Sequence, residues 1–181
     1  MKKIVWTFGL ISGAILSALM VINMTYLGVS YDMGLVVGYT TMVLAFLLVF
    51  FGVRSYRDNV GGGRVSFGRA MAVGSLIALI SSACYVATWE AMYFKFAPEH
   101  GQKIEAYMME SARSSEGTPQ EVQKEVAKME AFIRMYQNPL ANAAMTFMEP
   151  LPVALVFTLV SAGILSRRRR SPETGLVVAP G

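Results

Sequence analysis

The sequence predicts an all-α membrane protein with four transmembrane helices, and three observations predict it. Apolar residues make up 54% of the 181-residue chain and charged residues only 15%, against about 25% charged in a soluble domain. That deficit is gathered into four apolar runs of around 20 residues or more, the length a helix needs to cross roughly 30 Å of hydrocarbon. The basic residues collect at the ends of those runs rather than across the chain. Helices are expected because a helix satisfies its own backbone hydrogen bonds in lipid. The alternating segments of about 10 residues that a membrane barrel requires are absent from the sequence.

The first run covers about residues 4–29. Its start, MKKIVWTFGLISGAILSALM, has the basic head and apolar body of a signal peptide. The apolar run continues through Val21, Ile22 and Met24, however, and no small-x-small cleavage site closes it, so an uncleaved span is expected. A turn, SYDMG, leads to a second span at 34–53. The third span covers 67–96 and the fourth 144–165, where Arg167, Arg168, Arg169 and Arg170 stop it. Residues 1–170 read as one membrane domain, followed by a disordered tail at 171–181 that is short and rich in Pro and Gly.

Orientation follows from the basic residues. Lys2 and Lys3 precede the first span, Arg54, Arg57, Arg64 and Arg69 lie between the second and third, and the arginine run follows the fourth. With four spans these regions share one side, and the positive-inside rule makes it the cytoplasm. Both termini are then cytoplasmic, and the expected address is the bacterial inner membrane.

The connection RSYRDNVGGGRVSFGRAM looks at first like a phosphate-binding glycine loop. It lacks the Lys-Ser/Thr pair and the preceding strand that such a loop needs. Asp58, Asn59 and Gly61 to Gly63 suit a turn with positive φ angles. The expectation is a cytoplasmic hairpin that sets topology, with Arg54, Arg57, Arg64 and Arg69 in contact with anionic lipid head groups.

Residues 97–140 are polar and charge-balanced, and the same topology puts them outside. TPQE, Thr118 to Glu121, has the form of a helix start: a threonine cap, proline in the first position and glutamate closing a capping box. Val122, Val126, Met129, Ile133 and Tyr136 follow on one helical face, and Asn138 and Pro139 end or kink that helix. An earlier helix is expected around 102–113, with Ile104, Tyr107, Met108 and Ala112 on one face. Together they make an extracytoplasmic helical hairpin between the third and fourth spans.

Several chemistries find no support. The net charge of +4 reflects membrane topology, so no nucleic-acid partner is expected. The single cysteine, Cys84, cannot form an internal disulfide or a thiolate cluster. A lone histidine, His100, and scattered methionines make no metal site. No cofactor and no catalytic residue are expected. What stands out is two carboxylates at membrane depth, Glu90 in CYVATWEAMYF and Glu149 in MTFMEPLPVAL, since an intramembrane acid is costly and is a functional hypothesis by default. Counted from Arg69 and Arg167, both fall near the outer edge of the hydrocarbon; Glu149 is roughly 27 Å from Arg167 at the helical rise. Asn23 reaches a similar level, among Tyr26, Tyr85, Trp89 and Tyr93, which suit an interfacial aromatic belt. Pro150 and Pro152 free the carbonyls of Thr146 and Met148 beside Glu149. Asn23, Glu90, Glu149, Pro150 and Pro152 thus form a candidate intramembrane polar site, either a structural kink or a proton or ion site. Small residues at intervals of four (Gly9, Gly13 and Ser17; Gly34 and Gly38; Ala70, Gly74 and Ala78) let helices approach closely.

GVRSYRDNVGGGRVSFGRAMAVG after the second span, MYQNPLANAAMTFMEPLPV entering the fourth, and the basic stop after it resemble a bacterial membrane family known as domain of unknown function 4199, DUF4199, across about residues 3–170. The resemblance implies a multi-span helical membrane protein and brings no reaction, cofactor or catalytic residue. The leading functional reading is a non-enzymatic accessory or structural membrane protein. Its partners would be the bilayer and a membrane protein or a second copy of the chain. The alternative is a small transporter or ion-binding protein using Glu90 and Glu149, and a membrane enzyme ranks third.

Overall fold

A computed structural model describes residues 1–27 and 31–167 of the chain. The described residues are helical throughout apart from short turns, with no strand among them. In order they form α1 (Lys2–Ile22), a π-helical turn (Asn23–Leu27), α2 (Tyr31–Asn59), α3 (Phe67–Ala91), a second π-helical turn (Met92–Phe96), α4 (Pro98–Arg113), α5 (Pro119–Tyr136), α6 (Pro139–Met148) and α7 (Leu151–Leu165). Four segments are long and apolar enough to cross a membrane: Lys2–Thr25, Met33–Asn59, Phe67–Phe96 and Pro139–Leu165.

The four segments make an up-down-up-down bundle. α1 and α3 run parallel in close contact: a Cβ added to Gly9 would lie 2.8 Å from Ile80 Cβ, and one added to Gly13 would lie 2.7 Å from Cys84 Cβ. Side chains at Gly9 and Gly13 would therefore push the two helices apart, which is the use of small residues in lipid, where packing replaces the hydrophobic effect between helices. α2 runs antiparallel to α1, with Ser12 Oγ donating to the Ala45 carbonyl at 2.9 Å. α7 runs antiparallel to α3, with Thr158 against Gly74. α2 and α3 each pack on both α1 and α7. Lys2, Lys3, the α2–α3 turn and Arg167 consequently share one end of the bundle, and the α4–α5 hairpin stands at the other.

Phe46, Val49, Val53, Val73, Ile77, Leu16, Ala162 and Leu165 form the core, and it fills the basic half of the bundle. The outward faces are apolar as well: Trp6, Leu10, Val36, Leu44, Phe51, Leu79, Leu155, Val156 and Ile164 are all exposed. On a water-soluble protein so wide an apolar surface would be a liability; against lipid tails it is solvated. Two buried hydroxyls in this core bond across helices, Ser12 Oγ to the Ala45 carbonyl and Ser81 Oγ to the Gly9 carbonyl at 3.1 Å. Such bonds contribute on the order of 0.6 kcal/mol each in a membrane bundle.

The element boundaries differ from the sequence reading at four places. α2 continues through Asn59, so Asp58 and Asn59 are helical; Arg57 Nε donates to Asp58 Oδ1 at 2.7 Å. The turn is tighter than expected, and Gly62 (φ +59°) and Gly63 (φ +81°) supply its positive φ. Tyr31 to Gly34 of the expected SYDMG turn belong to α2. α4 begins at Pro98 rather than near 102. The fourth membrane segment begins at Pro139 rather than 144, because Asn138 Oδ1 caps a new helix by accepting from the amides of Leu140 and Ala141. The expected TPQE capping box of α5 is present. The end of the first expected span at 28–29, Arg168 to Arg170 and the tail at 171–181 lie outside the described residues.

Candidate functional site

Beyond Met42 toward the hairpin end, the tight packing gives way to a cavity of about 670 Å³. Its described walls come from α1 to α5 with the two π-helical turns, and from Glu149 between α6 and α7. α1 contributes Leu16, Leu19 and Met20, with Asn23 and Met24 from the π-helical turn that follows. α2 contributes Gly34, Leu35, Gly38, Tyr39, Thr41 and Met42. α3 contributes Tyr85 and Trp89, and Tyr93 comes from the second π-helical turn. The hairpin supplies the roof, with His100, Lys103, Ile104, Glu105 and Met108 from α4 and Phe132, Ile133 and Tyr136 from α5. The small-residue stripe of α2 thus faces open space: nothing lies within 4 Å of a Cβ added to Gly38. In α1 and α3 the equivalent stripes are consumed by packing inside the molecule.

Glu149 enters this cavity at the break between α6 and α7. Pro150 has no amide hydrogen and cannot continue the α6 ladder. The chain tightens there, the Glu149 amide donating to the Thr146 carbonyl at 3.3 Å, and α7 starts again at Leu151 with Pro150 fully buried. Tyr85 Oη donates to Glu149 Oε2 at 3.0 Å, and no described group bonds Oε1. Glu149 is exposed to the cavity, and a carboxyl group held there by a phenol sets where charge can sit in it.

The hairpin is bolted to the bundle by polar groups around the aromatic wall. Tyr93 Oη donates to Glu105 Oε1 at 2.5 Å, and Gln137 Nε2 reaches both oxygens of Glu105 at 3.3 and 3.2 Å. Trp89 Nε1 donates to Asn142 Oδ1 at 2.9 Å, and Asn142 Nδ2 donates to the Tyr136 carbonyl at 3.0 Å. Thr146 Oγ1 donates to the same Asn142 oxygen at 3.2 Å. Tyr93 meets Tyr136 edge to face with ring centroids 5.6 Å apart. Burial pushes the Tyr136 phenol up to about 12, and the nearby carboxylates of Glu149 and Glu90 add to that, so it stays protonated at neutral pH.

The structure brings Asn23 and Glu149 to one cavity and leaves Glu90 out of its lining. Glu90 follows Trp89 on α3 and so turns about 100° away from the aromatic wall. It lies five residues beyond Tyr85, the partner of Glu149, or about 7.5 Å further along the helix. Its Oε1 is buried without a hydrogen-bond partner, a condition shared among the described residues only with Ser82 Oγ. Pro152 is exposed, and the side chain of Tyr26 lies outside the described residues. Of the four arginines, Arg54 and Arg57 pair with Asp58 at 3.7 and 2.7 Å. Arg69 points at Tyr56 Oη at 3.5 Å, and Arg64 is exposed. Among the described residues no group of three or more His, Cys, Asp or Glu is placed to hold a metal.

Sequence reasoning missed Tyr39, Asn142, Glu105 and the hairpin's part in the site. One signal was available: Tyr85, Trp89 and Tyr93 recur at intervals of four, which already puts three aromatic rings on one helical face. Asn142 was hidden by starting the fourth span two residues after it.

The bundle, its apolar outer faces and this cavity define a small helical membrane protein. Over residues 7–167 the chain matches the family described as "Protein of unknown function (DUF4199)" and belongs to it. Comparison with the curated proteins gave no match. Comparison with the solved structures gave none either.

Proposed function

We propose that this is a non-enzymatic, ligand-binding protein of the bacterial cytoplasmic membrane. Both termini face the cytoplasm and the α4–α5 hairpin lies outside. The basic end of the bundle, opposite the hairpin, supports that orientation through the positive-inside rule. The observation that carries the functional reading is Glu149, held by Tyr85 in a half-open cavity roofed by the hairpin. Glu149 is exposed to the cavity at the outer end of the bundle, and an acid beside apolar spans is costly unless something uses its charge. The described lining combines carboxyls, phenols, the Asn23 amide, the Thr41 hydroxyl, His100 and Lys103 with apolar walls, and a concave, mostly apolar surface carrying a few polar groups is the form of a binding pocket.

Of the two non-enzymatic readings of the sequence, the cavity favours the ion-binding one, centred on Glu149 with Asn23 rather than on a pair with Glu90. A purely structural accessory would act through the hairpin or through its intramembrane faces. The apolar faces of the hairpin are turned inward, with Ala112 and Ile133 buried and Ile104, Met108 and Phe132 roofing the cavity, which leaves that role to the intramembrane faces. The test is ion flux in proteoliposomes. The wild-type protein is expected to carry a proton- or cation-dependent flux, or to show cation-dependent thermal stabilisation, that Glu149→Gln abolishes without loss of folding. A wild-type protein indifferent to every cation tested would sink the reading.

A further inference from the structure

The chemistry of the cavity narrows what Glu149 pairs with. Among the described residues the lining carries two carboxylates, Glu149 and Glu105, against one ammonium, Lys103. His100 adds no charge at neutral pH, because burial and the neighbouring Lys103 hold its imidazole below the ordinary 6.5. Glu105 is already engaged by Tyr93 and Gln137. Glu149 has only the Tyr85 phenol and forms no ion pair with a described residue.

Size then separates inorganic from organic cations. At about 30 Å³ per water, a volume of about 670 Å³ would bring roughly twenty waters in with a bare metal ion. Apolar side chains such as Leu16, Leu19, Met20, Met42 and Met108 make up much of the lining beside the polar groups, and that part of the wall offers such water no hydrogen-bond partners. A dehydrated hard cation would need six or more oxygen ligands, and the residues beside Glu149 present rings instead. Tyr39, Tyr85 and Trp89 line the same space, and the faces of such rings attract a diffuse cation that has no hydration shell to lose. The volume falls in the range of about 300–1,000 Å³ typical of organic ligands.

We propose that the cavity binds a lipophilic organic monocation, its charged centre paired with Glu149 among Tyr39, Tyr85 and Trp89 and its apolar body against Leu16, Met42 and Phe132. The inference rests on the reading of Glu149 as the centre of a binding site and adds the ligand class.

The test uses the purified protein in nanodiscs of zwitterionic lipid, with empty nanodiscs as the blank. The probe is radiolabelled tetraphenylphosphonium, and tetraphenylborate is the control of matching size and opposite charge. Saturable binding of one tetraphenylphosphonium per protein is expected, with none for tetraphenylborate. Glu149→Gln, which keeps shape and removes charge, should weaken binding about tenfold or more. Tyr39→Leu should weaken it about three- to tenfold and Tyr39→Phe should restore it, since the ring face is what attracts the cation. Tyr39 is half-exposed on α2 and makes no described hydrogen bond, so its variants remain informative if Glu149→Gln folds poorly. Binding that ignores both sites, or that accepts the anion equally, overturns the inference. Absence of tetraphenylphosphonium binding beside an inorganic-ion flux that still depends on Glu149 overturns it too, while leaving the functional reading intact. Loss of both brings both down.

Discussion

A single cap shows how directly residue chemistry is written into this chain. Glu121 accepts hydrogen bonds from the Thr118 amide at 2.8 Å and the Thr118 hydroxyl at 2.9 Å. The backbone bond first, and the hydroxyl second, hold the Glu121 carboxyl below its ordinary 4.5. A lowered folded value means that the stabilisation is present above the unfolded value and is lost as pH falls through the folded one. An NMR titration of Glu121 should therefore show a midpoint below 4.5 that rises only part of the way back in Thr118→Ala, which removes the hydroxyl donor and keeps the backbone one. That substitution should also cost the helix about 1 kcal/mol. A wild-type midpoint at or above 4.5 would contradict the box. Thr118, Pro119 and Glu121 were legible from spacing alone because the interaction is local. The Tyr85–Glu149 bond was not, because it joins residues 64 apart whose meeting depends on the α3–α7 register.

At the scale of elements, two contacts decide how the pieces sit. α1 rests on α3 through Gly9 and Gly13. Gly13→Val places methyl groups where Cys84 already stands, an overpacking that typically costs about 1–3 kcal/mol. The variant is expected to unfold at lower temperature, or at a lower SDS fraction, than the wild type; an unchanged transition would mean that α1 and α3 do not pack this closely. The hairpin rests on the bundle through Gly101, where an added Cβ would lie 2.7 Å from Tyr93 Cε2. Gly101→Val should loosen α4 and α5 selectively, so that amide exchange quickens in the hairpin while the core segments around Phe46 and Ile77 stay protected. Equal protection in the hairpin would show that Tyr93 yields without cost. The existence of these helices followed from apolar runs and periodicity. Their ends followed less well: Asn138 reads as a stop after α5, yet its side chain starts α6, and a residue type that both ends and caps helices leaves that choice to the surroundings.

For the whole molecule, the orientation is the prediction on which the others hang. With Lys124→Cys in the hairpin and Arg64→Cys in the α2–α3 turn, a membrane-impermeant maleimide applied to intact cells should label the first and spare the second. The reverse pattern would invert the topology and place the Glu149 cavity on the cytoplasmic side. Four spans and a basic end are visible in composition because lipid enforces length and apolarity on every crossing segment. The cavity is not visible that way, since it arises where α2 stops touching α3 and the hairpin folds back over the gap.

By itself the sequence determined the class of architecture: four apolar helices, a glycine turn among arginines, and an amphipathic hairpin whose second helix starts at a capping box. Each of these answers to lipid thickness or to neighbours within a few residues, so short-range pattern suffices. Only the tertiary structure decided that Glu149 meets Tyr85 while Glu90 turns away, that Gly34 and Gly38 of α2 line a void while Gly9 and Gly13 of α1 bury against α3, and that the hairpin's apolar faces roof a cavity. Those outcomes depend on helix rotation and register, where one residue is a turn of 100°, and no local pattern carries that angle from one helix to the next.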